Sequence, residues 1–184
     1  MRITFAIAAL LGLVSAVPSD HWAVLVAGSS GYGNYRHQAD TCHAYQIMKS
    51  HGIPDDHIIH LSYDDVANNS ENIFPGKLFN KPTAAGTAGV DVYAGCKIDY
   101  KGADVNPAKF LEVITGKGSG KVLKSDSKSK VFINFSDHGA PGLIAFPSQY
   151  LYAKDFDGAL KTMKSQNMYE KLTIYIEACE SGSM

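Results

Sequence analysis

Four runs of six or seven mostly apolar residues punctuate the chain, at 22–27, 57–62, 130–136 and 172–177. Each is too short for a buried helix and too continuous for a strand with one wet face. Runs of this kind fit strands covered on both faces, which is the environment of a parallel sheet. The segments between them carry the other period. Residues 39–51 read as a helix closed by Gly52 and Pro54, with Cys42, Tyr45 and Met48 on one side. Residues 107–115 form a second helix with Pro107 in its first turn. In 155–167, Phe156, Ala159, Leu160 and Met163 fall at i, i+3, i+4 and i+7 of one helix face. Strand and helix alternate, so the fold class is α/β: a mostly parallel sheet with helices on both faces. Residues 63–106 have many turn formers and no period, and a hairpin is expected within them. The Gly/Ser/Lys-rich stretch 116–130 reads as a surface connection. At 184 residues there is room for one domain, and no internal repeat or second domain is visible.

The start of the chain is an address. Arg2, the apolar run 3–14 and the small residues Val14-Ser15-Ala16 make residues 1–16 a secretory signal peptide, too short to anchor in a bilayer. No later apolar run approaches membrane length, so no membrane association is expected once it is removed. Formal charge is −1 and basic residues are not clustered, which argues against a nucleic-acid partner. Three cysteines leave one thiol over from any pairing. Asn68-Asn69-Ser70 is a glycosylation acceptor in a polar loop. Asn134-Phe135-Ser136 fits the same pattern inside an apolar strand and is expected to stay unmodified. The Gly31–Arg36 stretch lacks the third glycine of a dinucleotide loop. The 116–121 stretch lacks the first glycine and the Ser/Thr of a phosphate loop. His57 and His60, three apart on a strand, face opposite ways and do not make a metal pair. No metal and no cofactor is expected.

In a parallel sheet the reactive groups sit beyond the carboxyl ends of the strands. The first run leads into Gly28 to His37, with Asn34 inside it. The third leads into Asp137-His138-Gly139, and the fourth into Glu177-Ala178-Cys179. Topology therefore delivers an Asn, a His and a Cys to one edge. That set suits thiol catalysis, in which a thiolate attacks a carbonyl, an imidazole moves protons and a third group holds the ring. A cysteine directly after a strand, followed by small turn residues, is also exposed enough to react.

These motifs carry a resemblance. His-Gly after one strand and Glu-Ala-Cys after another, 41 residues later, is similar to the caspase-like clan of cysteine peptidases. Within that clan, the blocks Ala27–Asp40, Tyr63–Asp65, Gly120–Ser125, Asp137–Gly139 and Tyr175–Met184 resemble the legumain, or asparaginyl endopeptidase, family. The resemblance implies a caspase-like fold with Cys179 as nucleophile, His138 as general acid/base and Asn34 orienting it. It implies an oxyanion hole from the N–H groups of Gly139 and Cys179. Arg36, His37 and Glu177 are then expected to line the pocket for the substrate residue before the cut, and Asp137 stands where the family has a special acidic residue. The implied substrates are proteins and peptides with Asn before the cut, or Asp at low pH, in a lysosome, a vacuole or outside the cell.

Members of that family continue further and end in an inhibitory prodomain, so 17–184 is expected to be the N-terminal part of the peptidase domain, truncated at the C-terminus and inactive alone. A transamidase or peptide ligase of the same clan, or an inert fragment, are the competing readings.

Overall fold

The computed structural model describes residues 20–184, and the signal-peptide reading of 1–16 lies outside them. In chain order the elements are β1 (His21–Ala27), α1 (Tyr35–Ser50), β2 (Ile58–Ser62), α2 (Pro107–Ile114) and β3 (Lys130–Ser136). A small hairpin sheet follows: β4 (Gly139–Ala140), β5 (Leu143–Ala145) and β6 (Tyr150–Tyr152). The chain then forms α3 (Ala153–Ser165) and β7 (Lys171–Glu177). The main sheet has the order β2-β1-β3-β7 with every pair parallel, as the alternation of elements predicts.

Alternate residues of β1 explain why its run is apolar throughout. Ala23 and Leu25 face α1 and pack with Tyr45, Ile53 and Ile58. Val24 and Val26 face the other layer, joining Phe110 and Val113 of α2 and Phe156 and Met163 of α3. All four β1 residues are fully buried, and each large side chain so covered contributes roughly 1.5–3 kcal/mol.

Register fixes where the chemistry can be. Ala27 pairs with Ser62 on one side and with Ser136 on the other, and Ser136 pairs with Glu177. All four strands therefore end on one line, and the loops that leave them start level.

Two asparagines precede helices, and only one caps. Asn106 accepts a hydrogen bond from the Lys109 N–H at 2.9 Å, with Pro107 in the first turn of α2. Asn34 stands in the same position before α1, but its side chain makes no capping bond. It is used elsewhere. The helix also begins at Tyr35, four residues earlier than the apolar period indicates, because the three-residue turn 32–34 feeds directly into it.

The segment 63–106 contains no hairpin. Its one antiparallel contact of that kind is an isolated bridge between Phe79 and Asp91. It is tied instead by a Cys42–Cys96 disulfide to α1 and by its return along β2, where Tyr100 bridges Leu61. Asn68 lies exposed in a turn of this segment. Among the described residues, no helix is long and apolar enough to cross a membrane.

Candidate active site

Asn34, His138 and Cys179 come from three different strand ends. Asn34 closes the turn that follows β1, while His138 and Cys179 each lie two residues past the paired ends Ser136 and Glu177. His138 Nε2 is 2.8 Å from Asn34 Oδ1. The amide of Asn34 is oriented because its Nδ2 donates to the Ser30 carbonyl at 2.8 Å. Its Oδ1 is therefore an acceptor, and the imidazole proton must sit on Nε2. That tautomer leaves Nδ1 as the basic nitrogen of an exposed ring.

Cys179 is a free, exposed thiol at the first turn after β7. The next residue, Glu180, has φ 56° and ψ 26°, a left-handed conformation that a non-glycine residue rarely adopts. Strain of this kind concentrates at functional sites and persists where surrounding bonds hold it. Here the holder is Ser183, whose Oγ donates to the Glu180 carbonyl at 2.6 Å and accepts from the Gly142 N–H at 2.8 Å. The turn is thus bonded back to the β4–β5 hairpin, which itself starts at Gly139.

Gly139 brings the histidine and cysteine loops into contact. A Cβ at this position would stand 2.5 Å from the Cys179 carbonyl oxygen and 3.0 Å from the Ala178 side chain. Only glycine lets the histidine loop lie this close to the cysteine loop. Gly28 does the same one layer away, where a Cβ would meet Asp137 Oδ2 at 2.8 Å.

Behind the histidine is a closed polar cluster. Asp137 and His37 are 5% and 1% exposed. His37 Nδ1 is 2.7 Å from Ser29 Oγ and 3.4 Å from Asp137 Oδ1, which has no hydrogen-bond partner. The His37 and His138 rings meet edge to face at 5.2 Å. Burial, reinforced by the charges of Arg36 and His138, pushes the His37 pKa down to about 4. Burial pushes Asp137 up to about 6, against the pull of the His138 backbone N–H, of the His138 ring and of Arg36. His37, expected to line the substrate pocket, instead lies beneath His138.

Arg36 and Glu177 are both exposed at the sheet edge, and they form no ion pair with each other among the described residues. Glu177 Oε2 sits 3.5 Å from Ser136 Oγ. A cleft of about 520 Å³ opens beside His138, and its walls are a different set: Gly139, Ala140, Leu143, Ala145, Phe146 and Tyr150. The small hairpin sheet that builds it has strands of two or three residues, below the length at which alternation is readable.

The sequence profile of the peptidase C13 family matches residues 21–184. The chain belongs to the peptidase C13 family. It is 49% identical to rat (Rattus norvegicus) legumain over 201 residues, covering 99% of this chain and 45% of that protein. It is 57% identical to the Schistosoma mansoni hemoglobinase over 168 residues, covering 90% of this chain and 38% of the relative. With the vacuolar-processing enzyme beta-isozyme 1 of rice (Oryza sativa subsp. japonica) it shares 49% over 170 residues, 89% of this chain and 33% of that one. The chain thus spans less than half the length of these curated relatives.

Among the described residues of this C13 chain, two groups offer metal-ligating atoms near one another. The first, Cys42, Cys96 and His60, has both sulfurs in a disulfide, so no thiolate is free to ligate. The second is His37, Asp137 and His138, whose histidines already hold Ser29 and Asn34. Residues quoted in the motif blocks without a role also frame the site. Ser29, Ser30 and Gly31 build the turn beneath Asn34, and Asp65 bonds to that turn; the Asp64-Asp65 pair after β2 was the available signal.

Proposed function

We propose that this chain carries the catalytic cysteine and histidine of an endopeptidase that cuts after asparagine. The observation that supports it most is the Asn34–His138 bond, which leaves Nδ1 basic in a loop that Gly139 lets touch the Cys179 backbone. In this reading His138 Nδ1 takes the thiol proton and Cys179 Sγ attacks the substrate carbonyl. The developing oxyanion is held by the N–H groups of Gly139 and Cys179, a contribution of about 3–4 kcal/mol for a single donor. The leaving amine collects the proton from the imidazolium. Water then opens the acyl-enzyme with the same histidine as base.

The specificity argument rests on hydrogen-bond chemistry. An Asn side chain presents one carbonyl acceptor and one NH₂ donor. Arg36 supplies only donors and ionised Glu177 only acceptors, and both are unshielded at the edge where the nucleophile emerges. Aspartate mimics the amide only when protonated, because its ionised form meets Glu177 with like charge. Proteolysis in an acidic lysosome or vacuole, reached through the secretory pathway, is the setting that fits.

The test is cleavage of matched Asn, Asp and Leu peptides by the full-length protein at about pH 4.5 and about pH 6.5. Asn should exceed Leu by about 10⁴-fold, since Leu leaves two charged groups without partners. Asp should be cut only at the lower pH. Equal rates on Asn and Leu would remove Arg36 and Glu177 from the specificity site.

A further inference from the structure

We infer that Asp65 is a remote positioning residue for the catalytic histidine, acting on it through two amide groups in series. Its carboxylate lies beyond β2, two strands away from β3, which carries His138. Asp65 Oδ2 accepts the Gly31 N–H at 2.7 Å. That N–H belongs to the same peptide group as the Ser30 carbonyl. The Ser30 oxygen in turn accepts Asn34 Nδ2 at 2.8 Å, and Asn34 Oδ1 receives His138 Nε2 at 2.8 Å. A trans peptide holds its N–H and C=O on opposite sides, so the bonds run head to tail from carboxylate to imidazole. The order of the groups follows the order of strands, β2, β1, β3.

Such a chain does more than hold a turn in place. A negative charge at its head polarises each amide in the same sense, because hydrogen bonds in series reinforce one another at low local dielectric. The Ser30 oxygen becomes a better acceptor, the Asn34 amide is polarised, and Oδ1 carries more negative charge toward the Nε2 proton. The imidazolium formed when Cys179 loses its proton is stabilised. Asp65 thus exerts at a distance the influence that a carboxylate in direct contact with a histidine exerts at once.

Two details favour an electrostatic role over plain bracing. The second oxygen of Asp65 accepts Gln38 Nε2 at 2.7 Å. Both of its partners are donors, which only an ionised carboxylate satisfies without a donor–donor clash. The receiving residue, Gly31, has φ 83°, and no atom lies within 4 Å of where its Cβ would stand. Glycine is there for the backbone angle that aims its N–H at Asp65, and lack of space does not require it.

This inference rests on Cys179, His138 and Asn34 acting as proposed above, and the experiment separates the two. The full-length protein is compared with Asp65→Asn, and with Asp64→Asn as a control. Asp64 loses the same charge one residue away, but its carboxylate bonds Lys101 and Tyr93 and touches no part of the chain of amides. Two quantities are read: kcat and KM on an Asn peptide, and the pH profile of Cys179 alkylation by iodoacetamide, followed on its own peptide by mass spectrometry.

Asp65→Asn should lower kcat about tenfold with KM little changed, the size expected for exchanging a charge-assisted hydrogen bond for a neutral one. Its alkylation profile should move to higher pH, because a less stable imidazolium supports the thiolate less. Asp64→Asn should match the parent in both. Should Asp65→Asn fold poorly, Asp65→Ala assayed with and without added formate replaces it, and formate should restore the profile in proportion to its concentration. An Asp65→Asn protein with unshifted profile and parental kcat overturns the proposal. So does failure of both variants to fold, which would make Asp65 a structural residue only. Loss of activity and alkylation in Cys179→Ala and His138→Ala tests the underlying reading separately.

Discussion

The two edges of the main sheet solve opposite problems. At the β2 edge every residue from Ile58 to Ser62 is buried, although the strand has a β-partner on one side only. The returning segment covers it: Ser62 N–H bonds the Tyr100 carbonyl, and the Tyr100 and Asp99 N–H groups both bond the His60 carbonyl. The Cys42–Cys96 disulfide then fastens that cover to α1. At the β7 edge, exposed and half-buried residues alternate along the strand, and Tyr175 is 62% exposed. The covered edge carries the disulfide and, just past β2, Asp65; Glu177 and Cys179 belong to the β7 edge, while His138 follows β3 and Asn34 follows β1.

Removing the thiol tests the open edge most directly. In the full-length protein, Cys179→Ala should lower kcat about 10⁶-fold, as for loss of the nucleophile in a serine peptidase. Its melting temperature should barely move, because the thiol is exposed and no packing is lost. An electrophilic peptide ending in Asn should label Cys179 and no other cysteine. Labelling that persists in the alanine variant would break the comparison at once.

Removing the disulfide tests the covered edge, and the pattern should be reversed. The closed loop spans 54 residues, so chain entropy assigns the bridge about 4 kcal/mol of stability. The double variant Cys42→Ala/Cys96→Ala should therefore unfold at much lower urea, while the folded fraction still turns over substrate at low temperature. Loss of turnover with unchanged urea stability would place the disulfide in the chemistry.

The smallest effect lies between the edges, in the buried cluster. Asp137 titrates near 6 when folded, so its stabilising contribution is present below its unfolded pKa, about 4, and is lost as pH rises through 6. His37 and the buried His60, both lowered to about 4, do the opposite. Their contribution is present above about 6.5 and is lost as pH falls toward 4. Over the shared window the carboxylate offsets part of the histidine slope. Asp137→Asn should make stability climb more steeply with pH between about 4 and about 6.5. Calorimetry at a series of pH values checks this, and parallel curves for the two proteins would remove Asp137 from the balance.

The four long strands were legible as short apolar runs, and β3 begins and ends where the residues indicate. The cover on both faces expected of every run holds for β1 and β2 and not for β7, whose alternate residues are exposed. The positions of His138 and Cys179 past neighbouring strand ends were legible because strand ends in a parallel sheet are level. The hairpin expected within 63–106 was not found, since that segment satisfies its backbone through successive local turns and side chains instead. Asn72 Nδ2, for example, donates to the carbonyls of Ala67 and Lys77. The pairing of Cys42 with Cys96 was equally hidden, because no period links a helix face to a loop 54 residues away. His37 was expected to line the pocket because the family resemblance implies it, together with its neighbour Arg36. On a helix, adjacent residues point about 100° apart, and one of the two faces inward.

The bond between Asn34 and His138 joins residues 104 positions apart. Contacts of that separation form late, because the cost of closing the loop comes before any gain from the contact. During synthesis the histidine and its asparagine are both made before the cysteine that they serve. Neither strand end is level with the other until β3 has inserted between β1 and β7. A growing or partly unfolded chain therefore holds Asn34, His138 and Cys179 apart, and assembly of the sheet brings their strand ends level.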